Sequence, residues 1–406
     1  MWLNKVGTFG IGTASVWFGR LAAGVGRMVL SIMQGHHCWQ FIYADDLRFT
    51  THGSFLYLNL LLFLLCWEVA GAPFSWKKTR GGLEQEWIGF WVSCSTFQIG
   101  ASEARTQWVI KWLDEVIAAP GILIRGLQEG LGRIGFLAGV LEWTKPFLAP
   151  CYAWSSSVPG GAFLPLPHII KLTFEWIRDR LEDGNRMTDC RAREVDVGEV
   201  FRADTKGEEG FICIGGWECR GGTPPNQARW FSIKILPSQA PWLFDKGHAS
   251  KTIAAGELLA TLVSVQAFMS DPFEARGVMG LTGVTDNQEN SFVLKKMLSS
   301  KYPLALILMQ LSVLLSERKL WLDLEWRPRE SNVEADDLTN EDFSKFSPWL
   351  RVDLKFSDLR LEVVSKYADS YRALMIDKAK RKAEDPEGQA RRKKEFRSKE
   401  KVLSAW

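Results

Sequence analysis

The sequence of 406 residues lacks several features that would assign it to a simple class of protein. It has no CxxC pair among its seven cysteines, so neither a disulfide framework nor a zinc ribbon is indicated. We therefore expect a reducing, intracellular compartment; whether it is the nucleus or the cytoplasm is not predicted. The apolar run Phe55–Trp67 is shorter than the ~20 residues of a membrane span, which predicts a buried helix and no membrane partner.

Charge of one sign is also lacking over most of the chain. Lys and Arg (50) nearly balance Asp and Glu (47), so the overall charge does not indicate a partner. The stretch 377–401 differs, because it holds 11 basic and 6 acidic residues. Such a tail binds phosphate backbones or directs nuclear import, or it is simply solvated. The nineteen tryptophans lie mostly in apolar patterns, which favours core packing over base stacking.

Hydrophobic periodicity and turn residues predict the elements of the first part of the chain. Two short apolar strands enclose Tyr43–Asp46 and predict a hairpin. Two more strands are predicted at Phe74–Lys78 and Trp87–Ser93, and two helices at 103–118 and 122–143. Five prolines within 146–167 then mark a domain boundary.

The second half has a clearer order of predicted elements, βββαβααβα, which indicates a mixed sheet with helices packed against it. Val333–Leu338 begins the last predicted helix. The fold class expected for the whole chain is therefore α/β in the mixed, α+β sense. The predicted division has four parts: 1–145, a connection at 146–195, 196–345, and a helical and basic tail at 346–406.

Four acidic residues of the second half fall where sheets of this class place functional groups. Asp204 lies at the end of a predicted strand, and Glu257 lies inside a predicted helix. Asp286 lies at the C-terminal end of a later strand, and Asp336 lies near the start of the last predicted helix. Converging carboxylates cannot all stay ionised without cations. Paired Mg²⁺ or Mn²⁺ ions would meet that need and promote phosphodiester cleavage. Taken singly, each residue is equally well an ordinary solvated acid.

The segments around these acids resemble a ribonuclease H domain of retroelement type, over about residues 196–345. The resemblance rests on four segments in order: FRADT (Phe201–Thr205), AGELLA (Ala255–Ala260), TDN (Thr285–Asn287) and NVEADDL (Asn332–Leu338). It implies that the four acids bind metal and act in catalysis, with Asp337 as the neighbouring alternative to Asp336. Three further residues are implied to contact the substrate: Asn287, Asn332 and Arg329.

This chain departs from the bacterial and retroviral members in the loop before the last aspartate. Those members carry a histidine there, whereas residues 327–331 read Arg-Pro-Arg-Glu-Ser. We therefore expect proton shuttling or product release to differ. Extra length between Asp204 and Glu257 is a second departure.

The first half resembles the palm and thumb of a reverse transcriptase. The YADD sequence at Tyr43–Asp46, between two apolar strands, is similar to the catalytic hairpin of that family. The resemblance implies that Asp45 binds a metal ion and that Asp46 supports it. Contacts with template, primer or nucleotide are implied for five residues: Phe9, Gly10, Tyr43, Lys77 and Lys78.

A reverse transcriptase also needs a metal-binding aspartate on a strand before the Phe-Gly helix, and only eight residues precede Phe9. We therefore expect a truncated element without polymerase activity. The layout looks most like retrotransposons of the tyrosine-recombinase group. It implies an enzyme that cuts the RNA strand of RNA–DNA hybrids. Two alternatives stay open: a decayed remnant that at most binds nucleic acid, and an integrase-like nuclease. The oligomeric state is not predicted.

Overall fold

The computed structural model describes residues 14–35, 37–72, 74–245, 247, 249–269 and 278–384. The chain divides into two units, one within residues 1–95 and the other within 96–406. The proline-rich stretch 146–167 lies within the second unit and begins with a buried helix, and the four-part division stays a prediction. No helix among the described residues has the length and apolar character needed to cross a bilayer.

The described residues of the first unit form two helices and two hairpins. Its elements are α1 (Ala14–Ile32), β1 (Cys38–Tyr43), β2 (Asp46–Thr51), α2 (Leu56–Val69), β3 (Glu84–Trp87) and β4 (Phe90–Ser93). The predicted β1–β2 hairpin is confirmed, with Tyr43 paired to Asp46 across the turn. The strand predicted at Phe74–Lys78 is wrong, because a turn lies there.

The single strand predicted at Trp87–Ser93 is also wrong, because the chain reverses within it. Ile88 and Gly89 both have positive φ, 46° and 86°, which is the backbone of a two-residue hairpin turn. Trp87 therefore pairs with Phe90, and β3 and β4 run antiparallel. An apolar, β-branched residue in the left-handed region is rare, so the sequence carried no turn signal at Ile88.

Helix α2 buries one face only, although its sequence predicts a helix buried all round. Phe63 and Trp67 are buried against α1 and the first hairpin, where the rings of Phe49 and Phe63 stack 3.9 Å apart. The opposite face leaves Tyr57 75% exposed and Val69 79% exposed. The apolar sequence was therefore a poor guide to burial in this helix.

The second unit begins with helices and short strands, followed by a large sheet. Its elements up to the sheet are β5 (Gln98–Ala101), α3 (Glu103–Ala118), β6 (Ile122–Leu123), α4 (Ile124–Leu137), α5 (Lys145–Ser155), β7 (Phe163–Leu164), α6 (His168–Glu182) and β8 (Met187–Asp189). The remaining elements are β9 (Arg191–Glu208), β10 (Phe211–Glu218), β11 (Trp230–Ile235), α7 (Pro241–Phe244), α8 (Ile253–Phe268), β12 (Val278–Thr285), α9 (Gln288–Lys296), α10 (Leu304–Glu317), β13 (Leu320–Trp326), α11 (Val333–Thr339) and α12 (Glu362–Glu384).

The large sheet is mixed, with the strand order β11-β10-β9-β12-β13. Strands β9, β10 and β11 are antiparallel neighbours, whereas β12 runs parallel to β9 and β13 runs parallel to β12. Helices α8 and α10 are apolar nearly all round and lie in the core. The predicted mixed α+β class, a mixed sheet with helices packed on it, is confirmed.

One hydrophobic core contains residues of this sheet, of helices that precede the sheet in the sequence and of helices that follow it. Helix α5 forms despite Pro146 and Pro150, because Pro146 stands in its first turn, where a missing N–H costs no helical bond. Phe147 of α5 stacks on Trp176 with ring centres 3.6 Å apart. Helix α12 buries Tyr367 against the same group, and its hydroxyl donates to the Leu172 carbonyl at 3.0 Å. The helix predicted to begin at Val333–Leu338 is confirmed as α11, and α12 follows it in the described residues.

Candidate active site

Three acidic residues from three separate elements meet in the second unit. Asp204 lies on β9, Glu257 lies on α8, and Asp286 directly follows β12. Each offers a carboxylate oxygen, and these oxygens all lie within 4.8 Å of one another. Asp204 and Glu257 are buried, 5% and 3% exposed, while Asp286 is half-buried. The three residues are called the buried triad below.

Strand register brings two members of the triad together. Arg202 on β9 pairs with Val284 on β12, and the two strands run parallel. Asp204 and Asp286 each lie two residues further along, so they stand side by side on neighbouring strands, which are ~4.8 Å apart. A side chain two positions along a strand also returns to the same face.

A glycine allows the third member to approach. Gly256, just before Glu257, faces Thr205 so closely that an added Cβ would lie 2.5 Å from the Thr205 Cγ2 atom. Helix α8 therefore packs against β9 closer than any larger residue would permit. The Thr205 amide donates to Glu257 Oε1 at 3.2 Å, and the Thr285 hydroxyl donates to Oε2 at 3.3 Å. These two bonds fix the Glu257 carboxylate toward the other acids.

Burial and mutual repulsion raise the pKa values of the triad. Burial first, and then the charge of Asp286, raise the pKa of Asp204 to about 6. Burial and the charges of both aspartates raise the pKa of Glu257 well above its usual range. Burial also raises the pKa of Asp286, and the nearby Arg329 opposes that shift. The site thus concentrates negative charge that its own side chains do not neutralise.

The fourth predicted acid borders the triad. Asp336 lies on α11, and its charge contributes to the raised pKa values of Asp204 and Asp286. The Arg329 guanidinium contacts its Oδ1, and the Asn340 side chain donates to its Oδ2 at 3.0 Å. Asp337 instead forms an ion pair with Lys345 at 2.7 Å. Of the two neighbours, Asp336 is the one that acts electrostatically on the triad.

Helix α11 is held against the sheet by contacts that the sequence did not reveal. The Thr339 hydroxyl lies 3.2 Å from Asp204 Oδ2 and 2.9 Å from the Asp336 carbonyl, so its single hydrogen serves one of them at a time. At Gly215 on β10, an added Cβ would lie 2.8 Å from the Leu338 Cβ. Thr339 follows the recognised motif directly, and that adjacency was its only signal in the sequence.

Asn332 and Asn287, both predicted to contact substrate, stand in different settings. Asn332 is 1% exposed, and its amide donates to the Ala203 carbonyl at 3.1 Å, so any effect on a substrate would be indirect. Asn287 caps the start of α9 by accepting from the Asn290 amide at 3.2 Å. Asn287 also borders the cavity over the triad.

The cavity over the triad has a volume of about 410 Å³. Besides the triad, its lining includes Lys206, Asn287 and Arg329. Two cationic side chains therefore stand at the rim of an acidic floor. That arrangement is suited to a polyanion bound with the help of cations.

The predicted polymerase residues do not assemble a comparable site within the described part of the chain. Asp45 and Asp46 are exposed at the tip of the first hairpin, and Tyr43 is 61% exposed. The lysines at 77 and 78 are exposed in a turn. Neither aspartate belongs to a group of three potential metal ligands among the residues described. Phe9 and Gly10 lie outside those residues.

The buried triad fits a hard divalent cation. Its donors are all carboxylate oxygens, which Mg²⁺ and Mn²⁺ prefer, and they are close enough to share one ion. Burial is the main cause of the raised pKa values of the three acids, and the charges of neighbouring acids add to it for Asp204 and Glu257. A cation bound there would stabilise the ionised forms of all three acids.

Comparisons with known proteins give structural likenesses only. No protein-family model and no curated protein matches the chain. It is similar to a foamy viral protease-reverse transcriptase in complex with double-stranded DNA, at 15% identity and a TM-score of 0.36, over 77% of this chain and 49% of that one. It is also similar to an RNase H1 from the halophilic archaeon Halobacterium salinarum NRC-1, at 17% identity and a TM-score of 0.25, over 37% and 98%. The chain spans about half the length of the viral protein.

Proposed function

We propose that the second unit is a ribonuclease-H-type nuclease that hydrolyses the RNA strand of RNA–DNA hybrids with Mg²⁺ or Mn²⁺. The observation that carries this proposal is the convergence of Asp204, Glu257 and Asp286, whose carboxylate oxygens lie within 4.8 Å of one another. They stand at the floor of a cavity with a cationic rim. The ordered resemblance of the four acidic segments to ribonuclease H supports the same assignment.

Each residue has a distinct part in this proposal. The triad and Asp336 would hold divalent cations, which supply a nucleophilic water and stabilise the leaving oxygen. Thr205 and Thr285 orient Glu257 through their hydrogen bonds. Thr339 orients Asp204 and ties it to the helix that carries Asp336.

The substrate assignment follows from the rim and from general nucleic-acid chemistry. Lys206 and Arg329 line the cavity and would meet phosphate oxygens. A hybrid duplex is recognised through its backbone and the 2′-hydroxyls of the RNA strand, with little readout of bases. The hairpin with Asp45 and Asp46 would belong to a reverse-transcriptase fragment that holds the hybrid. Two adjacent exposed carboxylates do not make a two-metal polymerase centre.

Cleavage of a labelled RNA–DNA hybrid by the full chain tests the proposal. We expect Asp286→Asn to lower the rate by more than ~100-fold, since changing partners of metal ligands alone costs ~10–100-fold. Asp353→Asn is the matched control, because Asp353 is an exposed acid away from the cavity. Equal cleavage by all three proteins would refute the assignment. No cleavage by a folded chain that still takes up Mn²⁺ would favour the inactive remnant.

A further inference from the structure

Arg329 stands out among the cationic residues near the active site. Its guanidinium contacts the Asp336 carboxylate and lines the cavity over the triad, yet the side chain is 70% exposed. The other cation at the rim, Lys206, is paired with Glu208 at 2.5 Å on its own hairpin. Among the residues described, Arg329 is thus the cation that forms an ion pair with one of the four predicted metal-binding acids.

The loop that carries Arg329 is anchored on both sides of it. The Arg327 amide donates to the Thr285 carbonyl at 3.0 Å, and its guanidinium pairs with Glu199 at 2.8 Å. On the other side, Arg202 donates to the Ser331 carbonyl at 2.8 Å. The loop is therefore fixed to the sheet, and the Arg329 side chain can leave Asp336 by rotation alone.

Both oxygens of Asp336 are engaged, one by Arg329 and the other by Asn340. The triad differs, because no Lys or Arg forms an ion pair with any of its members within the described residues. An incoming cation finds no ion-paired Lys or Arg at the triad but must displace a partner at Asp336. Because the Arg329 side chain is 70% exposed, its ion pair with Asp336 is weakened by water and is readily displaced.

We propose that Arg329 is a displaceable internal cation, which occupies Asp336 until a second divalent ion takes its place. The inference rests on the proposed function, since it assumes that the four acids form a two-cation centre. Loading is then ordered: the first ion binds the buried triad, and the second competes with the guanidinium. Once displaced, Arg329 is free to contact a phosphate of the substrate.

Calorimetric titration of Mn²⁺ into the full chain tests the competition without measuring activity. We expect Arg329→Met, which keeps an apolar stem but no charge, to tighten the second, weaker binding event by about threefold to fivefold. Arg360→Met is the matched control, because it removes an arginine from another ion pair, with Glu317 at 3.0 Å, away from the cavity. Asp336→Asn should abolish the second event in both backgrounds.

Thermal unfolding gives an independent measurement. In EDTA, Arg329→Met should lower the midpoint by about 1–2 °C, because Asp336 and Asp286 lose a neutralising charge. In saturating Mn²⁺ the difference from the unsubstituted chain should vanish, because the ion replaces the guanidinium.

The outcomes separate this inference from the function on which it rests. Equal second-event affinity in the Arg329→Met and unsubstituted chains, or a single binding event in both, overturns the competition but leaves the triad as a metal site. Absence of any uptake that depends on Asp286 overturns the proposed metal centre as well.

Discussion

In the metal-free chain, the contribution of Asp204 to the free energy of unfolding should fall as the pH rises from about 4 to about 6. The pKa of Asp204 is raised from 3.8 to about 6 in the folded chain, so the folded state keeps a proton that the unfolded state releases. Stability from the protonated carboxyl is therefore present below the unfolded pKa and is lost as the pH passes the folded one. A shift of about two pKa units corresponds to about 3 kcal/mol.

Urea denaturation of the full chain in EDTA, followed by tryptophan fluorescence, measures this effect. Other carboxyls act in the opposite sense: ion pairing and hydrogen bonds lower the pKa values of Glu199 and Asp189, despite their partial burial. The informative quantity is hence the difference between the unsubstituted chain and Asp204→Asn. We expect Asp204→Asn to become relatively more stable by up to about 3 kcal/mol between about pH 4 and pH 7.

Two further measurements make the reasoning refutable. Asp353→Asn, in an exposed position, should follow the pH dependence of the unsubstituted chain. Mn²⁺ at neutral pH should reverse the advantage of Asp204→Asn, because the ion binds the folded state through the carboxylate that this variant lacks. If the free energy of unfolding had the same pH dependence in the Asp204→Asn and unsubstituted chains, the pKa of Asp204 would not be raised in the folded state. The carboxylates of the triad would then not lie as close together as proposed.

Two other substitutions test how α11 is held against the sheet. Thr339→Val should weaken Mn²⁺ binding by about 10-fold or more, as loss of a metal-ligand partner does, whereas Thr339→Ser should keep the affinity in the same calorimetric titration. Gly215→Ala should lower the free energy of unfolding by about 1–3 kcal/mol in urea, because its Cβ would stand 2.8 Å from the Leu338 Cβ. A neutral Gly215→Ala would mean that α11 shifts freely.

The sequence predicted where the four acidic residues lie because each is inside, or at the end of, a strand or helix with a clear hydrophobic pattern. Strand β12 is the clearest case: its pattern predicts a strand over Val278–Thr285, directly before Asp286, and the strand has those bounds in the structure. The first hairpin was equally readable, since two apolar strands flank a polar turn. Fold class and acidic order are thus properties of local pattern.

Most features of the site and fold that the sequence did not predict depend on contacts between residues that are far apart in the sequence. The bond between Thr339 and Asp204 spans 135 positions, and no local pattern announces it. The pairing of Arg329 with Asp336 is close in sequence, but it depends on how the loop is anchored to β9. The sequence did not predict helix α5, because its prolines indicated a domain boundary. In the structure, burial of Phe147 and its neighbours offsets the helical hydrogen bond that is lost at Pro150.

The shared core of the second unit has a consequence for how such a gene can be rearranged. A fragment limited to residues 196–345, which hold the four acidic segments, would carry α10, buried from Leu304 to Leu315, without α5 and α12, which pack on it. Each large apolar side chain left in water costs about 1.5–3 kcal/mol, against a typical total stability of about 5–15 kcal/mol. A rearrangement that keeps this fold stable must therefore carry α5 and α12, which pack on α10, along with it.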